Sequence, residues 1–489
     1  MHPCSRCSRL QIRCLPPIPH FQRKDDFIKL KYDFIHATYT TSYAFVKETG
    51  CPLLFWAAEY GHCRVIRLLL EMGVPVDSRN KHGSTSLHIA IRFNQSLPVQ
   101  TLLAAGAQVN VATREWVKET GAETPVFHSV GDTPLQLWFR FTPLELPILR
   151  SLISAGENPD QDVSPFGDTL LHWLSRRSAK IFSSHYEQIM EYLVSDGRAQ
   201  VDALQKLQHY TPLDCAIAFK NHRAMRILLA AETNLNFRES GNTINCPLYL
   251  AVKSGSIDSV KLLVEAKADP NGSEHQRPLA LAADEGQYEI AEVLLSAGAD
   301  PSLKIWGTRM TPLHIAVAPG PEVRSEDLIR ALLNAGADIE SRDGKGETPL
   351  HRAASKRDVN AIRILLLSGA QVNALSDFDE TPIFHLFDWF RRTYSLQNLE
   401  AVVRILVEAG TDVTIRNKDG RTVLDRVLGY YIPEDFYSSV FSNCFRILFH
   451  AWEKALSSGA EIRLDWETVS IEALKDRYRT MKRVVFGYL

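Results

Sequence analysis

The chain has 489 residues, of which 23% are charged, and a formal net charge of -2. It is too long for one ordinary hydrophobic core, so several domains or one array of repeats is expected. The balanced charge gives no bulk attraction to nucleic acid or an anionic membrane, and no run of 18 apolar residues is present. The first residues are polar and basic, unlike a secretory signal. We therefore expect an intracellular protein, cytoplasmic or nuclear or both, with neither membrane nor nucleic acid among its partners.

The first predicted segment, residues 1–48, is a basic tail with capping helices. Cys4, Cys7 and Cys14 have C-x2-C-x6-C spacing with arginines between them. This pattern resembles the first half of the binuclear zinc-cluster DNA-binding domain, and the resemblance implies three zinc ligands and a DNA-binding regulator. The second half of the cysteine pattern is missing, so a degenerate remnant or a basic tail is the competing interpretation. We predict no metal and no cofactor.

An aromatic stretch at residues 27–46 leads into an apolar segment that starts at Cys51. This transition is similar to that of F-box proteins with repeat arrays, in which a helical F-box docks on a ubiquitin-ligase scaffold. The resemblance implies a substrate receptor of a ubiquitin ligase, with a ligase adaptor as partner. The full leucine pattern of an F-box is missing. A simple capping helix is the competing interpretation, because a stack of repeats needs a polar-faced cap at each end.

From Cys51 onward the sequence repeats a phrase close to T-P-L-H-x-A, followed by a leucine pair and then Gly-Ala. The clearest copies begin at Thr311 and Thr348. The residues at the Pro position of successive phrases are 31 to 48 positions apart and define eleven units, the last being the least regular. These anchor residues are Pro52, Ser86, Pro134, Leu170, Pro212, Pro247, Pro278, Pro312, Pro349, Pro382 and Val423.

Each unit predicts two helices. Thr before Pro supplies a side-chain oxygen for the free amides of a helix start, and Pro fits the first helical position. The later apolar run, as in residues 290–295, has helical spacing, and the following Gly298 suits the left-handed conformation past a helix end. The pattern resembles the ankyrin repeat, whose period is about 33 residues. Over residues 49–455, the resemblance implies an all-α solenoid of helix-turn-helix units with hairpin loops, with about 10–11 repeats and helical caps.

The repeat register divides the chain and locates its irregularities. Residues 49–427 hold repeats one to ten and the start of the eleventh, and residues 428–489 hold a degenerate last repeat and a C-terminal capping helix. Glu232 and Lys267 replace the usual Gly, so we predict a looser or differently closed helix end at both sites. Insertions, which often form a binding face of repeat proteins, are predicted at residues 112–130, 175–188, 318–326 and 388–399.

Four histidines share the slot two residues after the anchor residue: His88, His172, His314 and His351. Because they recur with the repeat, we interpret them as structural, and the resemblance implies that they tie the hairpin turn to the helix start. No phosphate-binding loop, zinc-protease motif, nucleophile elbow or EF-hand loop is present. We therefore predict no catalytic residues and a protein that is not an enzyme.

The favoured function is a non-catalytic scaffold or adaptor that binds protein partners through the concave surface of the repeats and through the inserted loops. Variable residues outside the repeated phrase would give specificity, because aromatic and basic side chains anchor many protein interfaces. In the hairpin tips the candidates are Arg79, Lys81, His82, Arg342, Lys345, Arg416 and Lys418. In the longest insertion they are Arg114, Trp116, Lys118 and Phe127.

Overall fold

The structure of the chain is a computed structural model. It describes residues 52–80, 83–113, 132–140, 144–164, 166–177, 183–196, 198–236, 238–240, 243–317, 326–387, 398–429 and 439–457.

A helix begins at each of the eleven anchor residues, and a second helix follows in every unit. The first helices are α1 (Pro52–Glu59), α3 (Ser86–Arg92), α5 (Pro134–Arg140), α7 (Leu170–Ser175), α9 (Pro212–Ala218), α11 (Pro247–Lys253), α13 (Pro278–Asp284), α15 (Pro312–Ala316), α17 (Pro349–Lys356), a 3-10 helix (Pro382–Phe387) and α20 (Val423–Gly429). The second helices are α2 (Cys63–Glu71), α4 (Ser96–Ala104), α6 (Leu146–Ser154), α8 (Ser184–Ser195), α10 (His222–Ala230), α12 (Ile257–Glu265), α14 (Tyr288–Ser296), α16 (Glu326–Asn334), α18 (Val359–Leu367), α19 (Leu399–Glu408) and α21 (Ser439–Ser457).

The first helices are short and depend on caps and burial. Helix α15 has five residues, whereas isolated helices shorter than about 12–15 residues are marginal in water. Thr311 precedes it in an extended conformation, and its side chain accepts a hydrogen bond from the backbone N–H of His314. The side chains of Leu313 and Ala316 are fully buried. The T-P-L phrase therefore starts the helix, while burial against neighbouring repeats stabilises it.

Both helix ends without Gly adopt the left-handed conformation, and at Lys267 the usual closing hydrogen bond forms, so the predicted looser or differently closed end is wrong at that site. At Gly298 (φ 90°), the N–H of the next residue, Ala299, donates to the carbonyl of Leu294 at 3.0 Å. At Lys267 (φ 66°), the corresponding bond from Ala268 to Leu263 measures 2.9 Å. Glu232 also has a positive φ, 57°. Both residues adopt this conformation although they have a Cβ atom, which makes it costly.

The chain forms two compact units, Met1–Pro165 and Phe166–Leu489. In the described part of the first unit, the first helices α1, α3 and α5 pack in sequence, as do the second helices α2, α4 and α6. In the second unit, first helices from α7 to α20 pack in the same consecutive manner, and second helices from α8 to α21 form the parallel row. Each unit is thus a stack of helix pairs, and the predicted all-α repeat fold is confirmed.

Two local departures lie in the second unit. Strands β1 (Arg238–Ser240) and β2 (Thr243–Asn245) pair antiparallel, so the hairpin before α11 has regular strand geometry. The unit that begins at Pro382 has a 3-10 helix, on which residues three apart share one face. Phe384 and Phe387 therefore point to the same side, and both are buried.

The predicted insertions largely lie outside the described residues, which omit 114–131, 178–182, 318–325 and 388–397. One part of them is described: α8 begins at Ser184 and has 12 residues, so the end of the segment 175–188 is helix. In the described part of the chain, no helix combines the length and the apolar character that crossing a bilayer requires.

Candidate protein-binding surface

The recurring histidines join adjacent repeats, which confirms their structural interpretation. The backbone N–H of Thr348 donates to Nδ1 of His351 at 3.1 Å, so this nitrogen carries no proton. The other ring nitrogen, Nε2, therefore carries the proton and donates to the carbonyl of Glu380 in the next repeat at 2.9 Å. His88, His172 and His314 make the same two contacts. Burial lowers the pKa of all four, to about 4 for His88 and about 3 for His351, where neighbouring His385 adds to the effect.

Three successive hairpin turns of the second unit are each shaped by a polar side chain at the start of the turn. In the turn 343–347, Oδ1 of Asp343 accepts hydrogen bonds from the N–H of Lys345 at 2.8 Å and of Glu347 at 3.0 Å. Gly346 provides the left-handed residue (φ 71°) that closes the turn. Ser376 and Asn417 use their side-chain oxygens in the same way in the next two turns. Residues that follow these side chains, Lys345, Phe378 and Lys418, are exposed.

Five turns of the second unit are joined by backbone hydrogen bonds into a row that we call the tip ribbon, defined as residues 272–277, 305–310, 343–347, 376–380 and 417–421. In each case, an N–H of one turn donates to a carbonyl of the turn before it. The four pairs are Trp306 to Glu274 at 3.2 Å, Gly344 to Thr308 at 2.9 Å, Asp377 to Lys345 at 3.0 Å and Lys418 to Phe378 at 3.0 Å. The register of neighbouring turns is therefore fixed independently of their side chains.

Aromatic side chains are exposed on this ribbon. Trp306 is 65% exposed and stacks on the ring of His275, with centroids 4.9 Å apart. Phe378, two turns further along, is 55% exposed. Among the described residues of the second unit, most exposed large apolar side chains lie in the segments that precede a first helix, where no helix packing requires them. They are Phe166, Leu204, Leu207, Trp306, Leu375 and Phe378, whereas Phe219 and Leu367 lie at helix ends.

Three of the predicted basic residues lie on or beside the tip ribbon. Arg342, Lys345 and Lys418 are exposed. Lys304 adds a cation that was not predicted, because its Nζ donates to the carbonyl of Arg342 at 2.8 Å. Arg416 is only half-exposed, and its guanidinium donates to the carbonyl of Gly420 within its own turn. Arg416 therefore shapes the turn more than it extends from it.

The other predicted site residues are elsewhere or outside the described part. Arg79 is exposed in the first unit. Six further predicted contact residues lie outside the described part: Lys81 and His82 in a hairpin tip, and Arg114, Trp116, Lys118 and Phe127 in the long insertion. The candidate zinc ligands Cys4, Cys7 and Cys14 also lie outside it. In the described part of the chain, no group of three or more His, Cys, Asp or Glu side chains is placed to hold a metal ion.

Sequence reasoning missed the aromatic residues of the ribbon, His275, Trp306 and Phe378. Their signal was available, since aromatic residues in a turn outside the repeated phrase have no framework role. The basic residues were noticed because charge is expected in an exposed turn, whereas an aromatic residue is usually assigned to the core.

A buried polar cluster fixes the C-terminal end of the ribbon. The carboxylate of Glu380 accepts hydrogen bonds from Nδ2 of Asn417, at 3.0 Å, and from the guanidinium of Arg426 on α20. Its second oxygen lies 3.8 Å from Nε2 of His385, and its carbonyl accepts the bond from His351. Glu380 therefore connects two turns of the ribbon to three successive repeats.

These features define a class of protein: stacked helix pairs whose hairpin turns form a continuous exposed surface. The family model for ankyrin repeats matches the chain in three copies, at residues 33–113, 234–305 and 304–376. The chain therefore contains ankyrin repeats, and the first match begins within the segment predicted as an N-terminal tail and cap. The predicted domain boundaries stay predictions.

Curated relatives are similar over their repeats. The chain is 31% identical over 223 residues to the B-cell lymphoma 3 protein homolog of Mus musculus, covering 44% of this chain and 47% of that protein. It is 23% identical over 390 residues to the E3 ubiquitin-protein ligase KEG of Arabidopsis thaliana, covering 77% of this chain and 20% of that protein. The chain thus spans less than half the length of both. The crystal structure of the ankyrin repeat domain of Bcl-3 aligns with a TM-score of 0.40 at 26% identity, covering 49% of this chain and 98% of that one.

Proposed function

We propose that the chain is a non-catalytic protein-binding scaffold that holds its partner on the tip ribbon. Trp306 and Phe378 would supply the apolar contacts, and Arg342, Lys345 and Lys418 the charged ones. The observation that carries this proposal is the exposure of two aromatic side chains on turns whose backbones are fixed by hydrogen bonds. Aromatic residues and Arg contribute most of the binding energy in many interfaces, and a rigid backbone lowers the entropy lost on binding.

Site-specific photocrosslinking tests this proposal. The photoreactive residue p-benzoylphenylalanine is placed, in separate full-length variants, at positions 306, 378 and 367, and the proteins that cross-link in cells are identified by mass spectrometry. Leu367 is the matched control because it is 85% exposed but lies at the end of helix α18, away from the turns. We expect the same protein products at positions 306 and 378 and not at 367. Equal products at all three positions would refute a role of the ribbon.

The long insertion is a second proposed contact region, which would use Arg114, Trp116, Lys118 and Phe127. A third proposed region is the hairpin tip with Arg79, Lys81 and His82. Deletion of residues 115–128 should abolish capture of the partner while leaving the fold intact, as measured by far-ultraviolet circular dichroism. Capture that persists after the deletion would exclude the insertion as the contact region and leave the ribbon proposal in place.

A ubiquitin-ligase substrate receptor is the second candidate function. Two relatives favour it by their names: the E3 ubiquitin-protein ligase KEG, and the Ankyrin repeat and SOCS box protein 6 of Pongo abelii. The chain is 32% identical to the second protein over 160 residues and covers 36% of it. Under this proposal, a ligase adaptor co-purifies with the full chain and is lost from residues 49–489. Adaptor binding that is absent from the full chain would remove this candidate.

A further inference from the structure

The tip ribbon carries cations that have no carboxylate partner in the described part of the chain. The ion pairs of that part do not involve Arg309, Arg342 or Lys345. These three side chains are exposed. Arg309 follows Trp306 in its turn, Arg342 directly precedes the turn 343–347, and Lys345 lies within that turn. The apolar contacts of the ribbon are therefore separated by a basic segment.

The acidic residues of the ribbon are arranged differently. The carboxylate of Asp343 is buried and accepts backbone hydrogen bonds inside its turn, and that of Glu380 is bound by Arg426. Glu347 is half-buried at the end of the turn 343–347, and the carboxylate of Asp377 lies against Gly346 of that turn. Asp379 follows Phe378 at one end of the basic segment, and Glu274 lies beyond Trp306 at the other. Between the two aromatic residues, a ligand therefore meets more exposed cations than exposed carboxylates.

The separation of the two aromatic turns sets a length for the ligand. Packed helices lie about 8–10 Å apart, and two repeat steps separate the turn of Trp306 from that of Phe378, so the distance is about 16–20 Å. An extended polypeptide covers about 3.3–3.6 Å per residue, so five or six residues span about this distance. Arg side chains pair with carboxylates through two parallel hydrogen bonds, which favours acidic residues in the part between.

We propose that the tip ribbon binds an extended polypeptide segment with two apolar side chains about five positions apart and carboxylates between them. This inference rests on the proposed function of the ribbon and specifies the partner. The two apolar side chains contact the Trp306–His275 pair and Phe378, and the carboxylates contact Arg309, Arg342 and Lys345.

Three fluorescein-labelled synthetic peptides are the probes, and their binding to the full chain is measured by fluorescence anisotropy. The first has two leucines five positions apart with glutamates between them, the second has lysine in place of each glutamate, and the third has the leucines two positions apart. We expect the first peptide to bind about tenfold more tightly than the other two, and to weaken as salt rises from about 50 to 200 mM.

A charge-matched pair of variants locates the site. The double substitution Arg342→Ala and Lys345→Ala should weaken the first peptide about tenfold. The control is the double substitution Arg330→Ala and Arg363→Ala. It removes the same charge from exposed positions of helices α16 and α18, in the two repeats on either side of the turn 343–347, and should leave the affinity unchanged. Circular dichroism spectra that match wild type establish that both variants are folded.

Equal binding of the glutamate and lysine peptides, or equal weakening by the two double variants, overturns the inference. If positions 306 and 378 still cross-link to proteins in that case, the proposed function stands and only the nature of the partner is wrong. If cross-linking at 306 and 378 does not exceed that at 367, the proposed function fails as well.

Discussion

The buried histidines should make the repeat stack sensitive to acid, and the chain itself supplies the substitution that tests this. Gln136 occupies the histidine slot of its repeat, where Oε1 accepts from the N–H of Thr133 at 2.9 Å and Nε2 donates to the carbonyl of Asp162 at 2.7 Å. Glutamine thus reproduces both histidine bonds without a titratable group. The variant His351→Gln should keep these bonds and lose the dependence on protonation.

The size of the effect follows from the pKa of His351. Its ring is fully buried, and burial, with a further contribution from His385, lowers its pKa to about 3. In the unfolded chain the pKa of histidine is about 6.5, so below this pH the unfolded chain binds a proton that the folded protein excludes. Stability is therefore fully present above about pH 6.5 and falls as the pH decreases, by about 2 kcal/mol at pH 5 for this single histidine.

Urea unfolding of the full chain at pH 7.5 and pH 5.0, followed by circular dichroism, measures this difference. The wild-type protein should lose about 2 kcal/mol more than the His351→Gln variant between the two pH values. Other titrating groups are common to both proteins and cancel in the comparison. A variant at the exposed His275, His275→Gln, should follow the wild-type curve.

The result that refutes the reasoning is an equal loss of stability in wild type and His351→Gln. Such a result would mean that the imidazole of His351 is already accessible to protons in the folded state. A lower stability of the variant at pH 7.5 alone would not refute it, because the ring contact with His385, at a centroid distance of 5.3 Å, is lost at both pH values.

Other substitutions probe the backbone, the buried ion pair and the thiols. Lys267→Gly should raise the free energy of unfolding by about 1 kcal/mol, because a φ of 66° is unfavourable for a residue with a Cβ atom. Gly298→Lys should lower the free energy of unfolding by a similar amount. A Cβ at position 298 meets no atom within 4 Å, so this loss comes from the positive φ alone. Urea denaturation checks both, and equal stability of all three proteins would show that φ strain is absent. Glu380→Ala should cost about 3 kcal/mol by removing the carboxylate that Arg426 and Asn417 bind, which thermal unfolding measures. A loss below about 1 kcal/mol would contradict this. Burial raises the pKa of Cys215 to about 12, so iodoacetamide should modify it in urea and not in the native protein, as read by mass spectrometry; rapid native labelling would show that the thiol is accessible.

Helix starts could be predicted from the sequence because their causes are local. The cap and the fixed φ of Pro act within four residues, as in Thr311 and Pro312, and each of the eleven helix starts has the Thr, the Pro or both. The left-handed closure at Lys267 could not be predicted in this way. The conformation accompanies a hydrogen bond from Ala268 to Leu263 and the burial of Ala268, which a single-residue preference does not include.

The candidate surface was only partly predictable for a related reason. The exposure of Lys345 follows from its charge and its place in a turn, whereas that of Trp306 requires knowing that no helix covers the turn. The ribbon itself depends on hydrogen bonds between backbone atoms about 30 to 40 residues apart, such as Lys418 to Phe378. Since every residue except Pro has the same backbone groups, no side-chain pattern encodes these bonds.

The bonds that stabilise the stack also position the candidate surface. Nε2 of His314 donates to the carbonyl of Glu347 at 3.0 Å, and Nε2 of His351 to that of Glu380, so the buried imidazoles hold the last residues of the two turns that carry Lys345 and Phe378. The first residues of these turns are held by their own side-chain caps and by the neighbouring turn. Each turn is thus fixed at both ends before a partner arrives, which reduces the entropy lost on binding. Protonation of these imidazoles occurs at Nδ1 and breaks the bond from the N–H of the capping Thr, which directly follows the turn before its helix. Loss of stability in acid and loss of binding by the ribbon should therefore occur together.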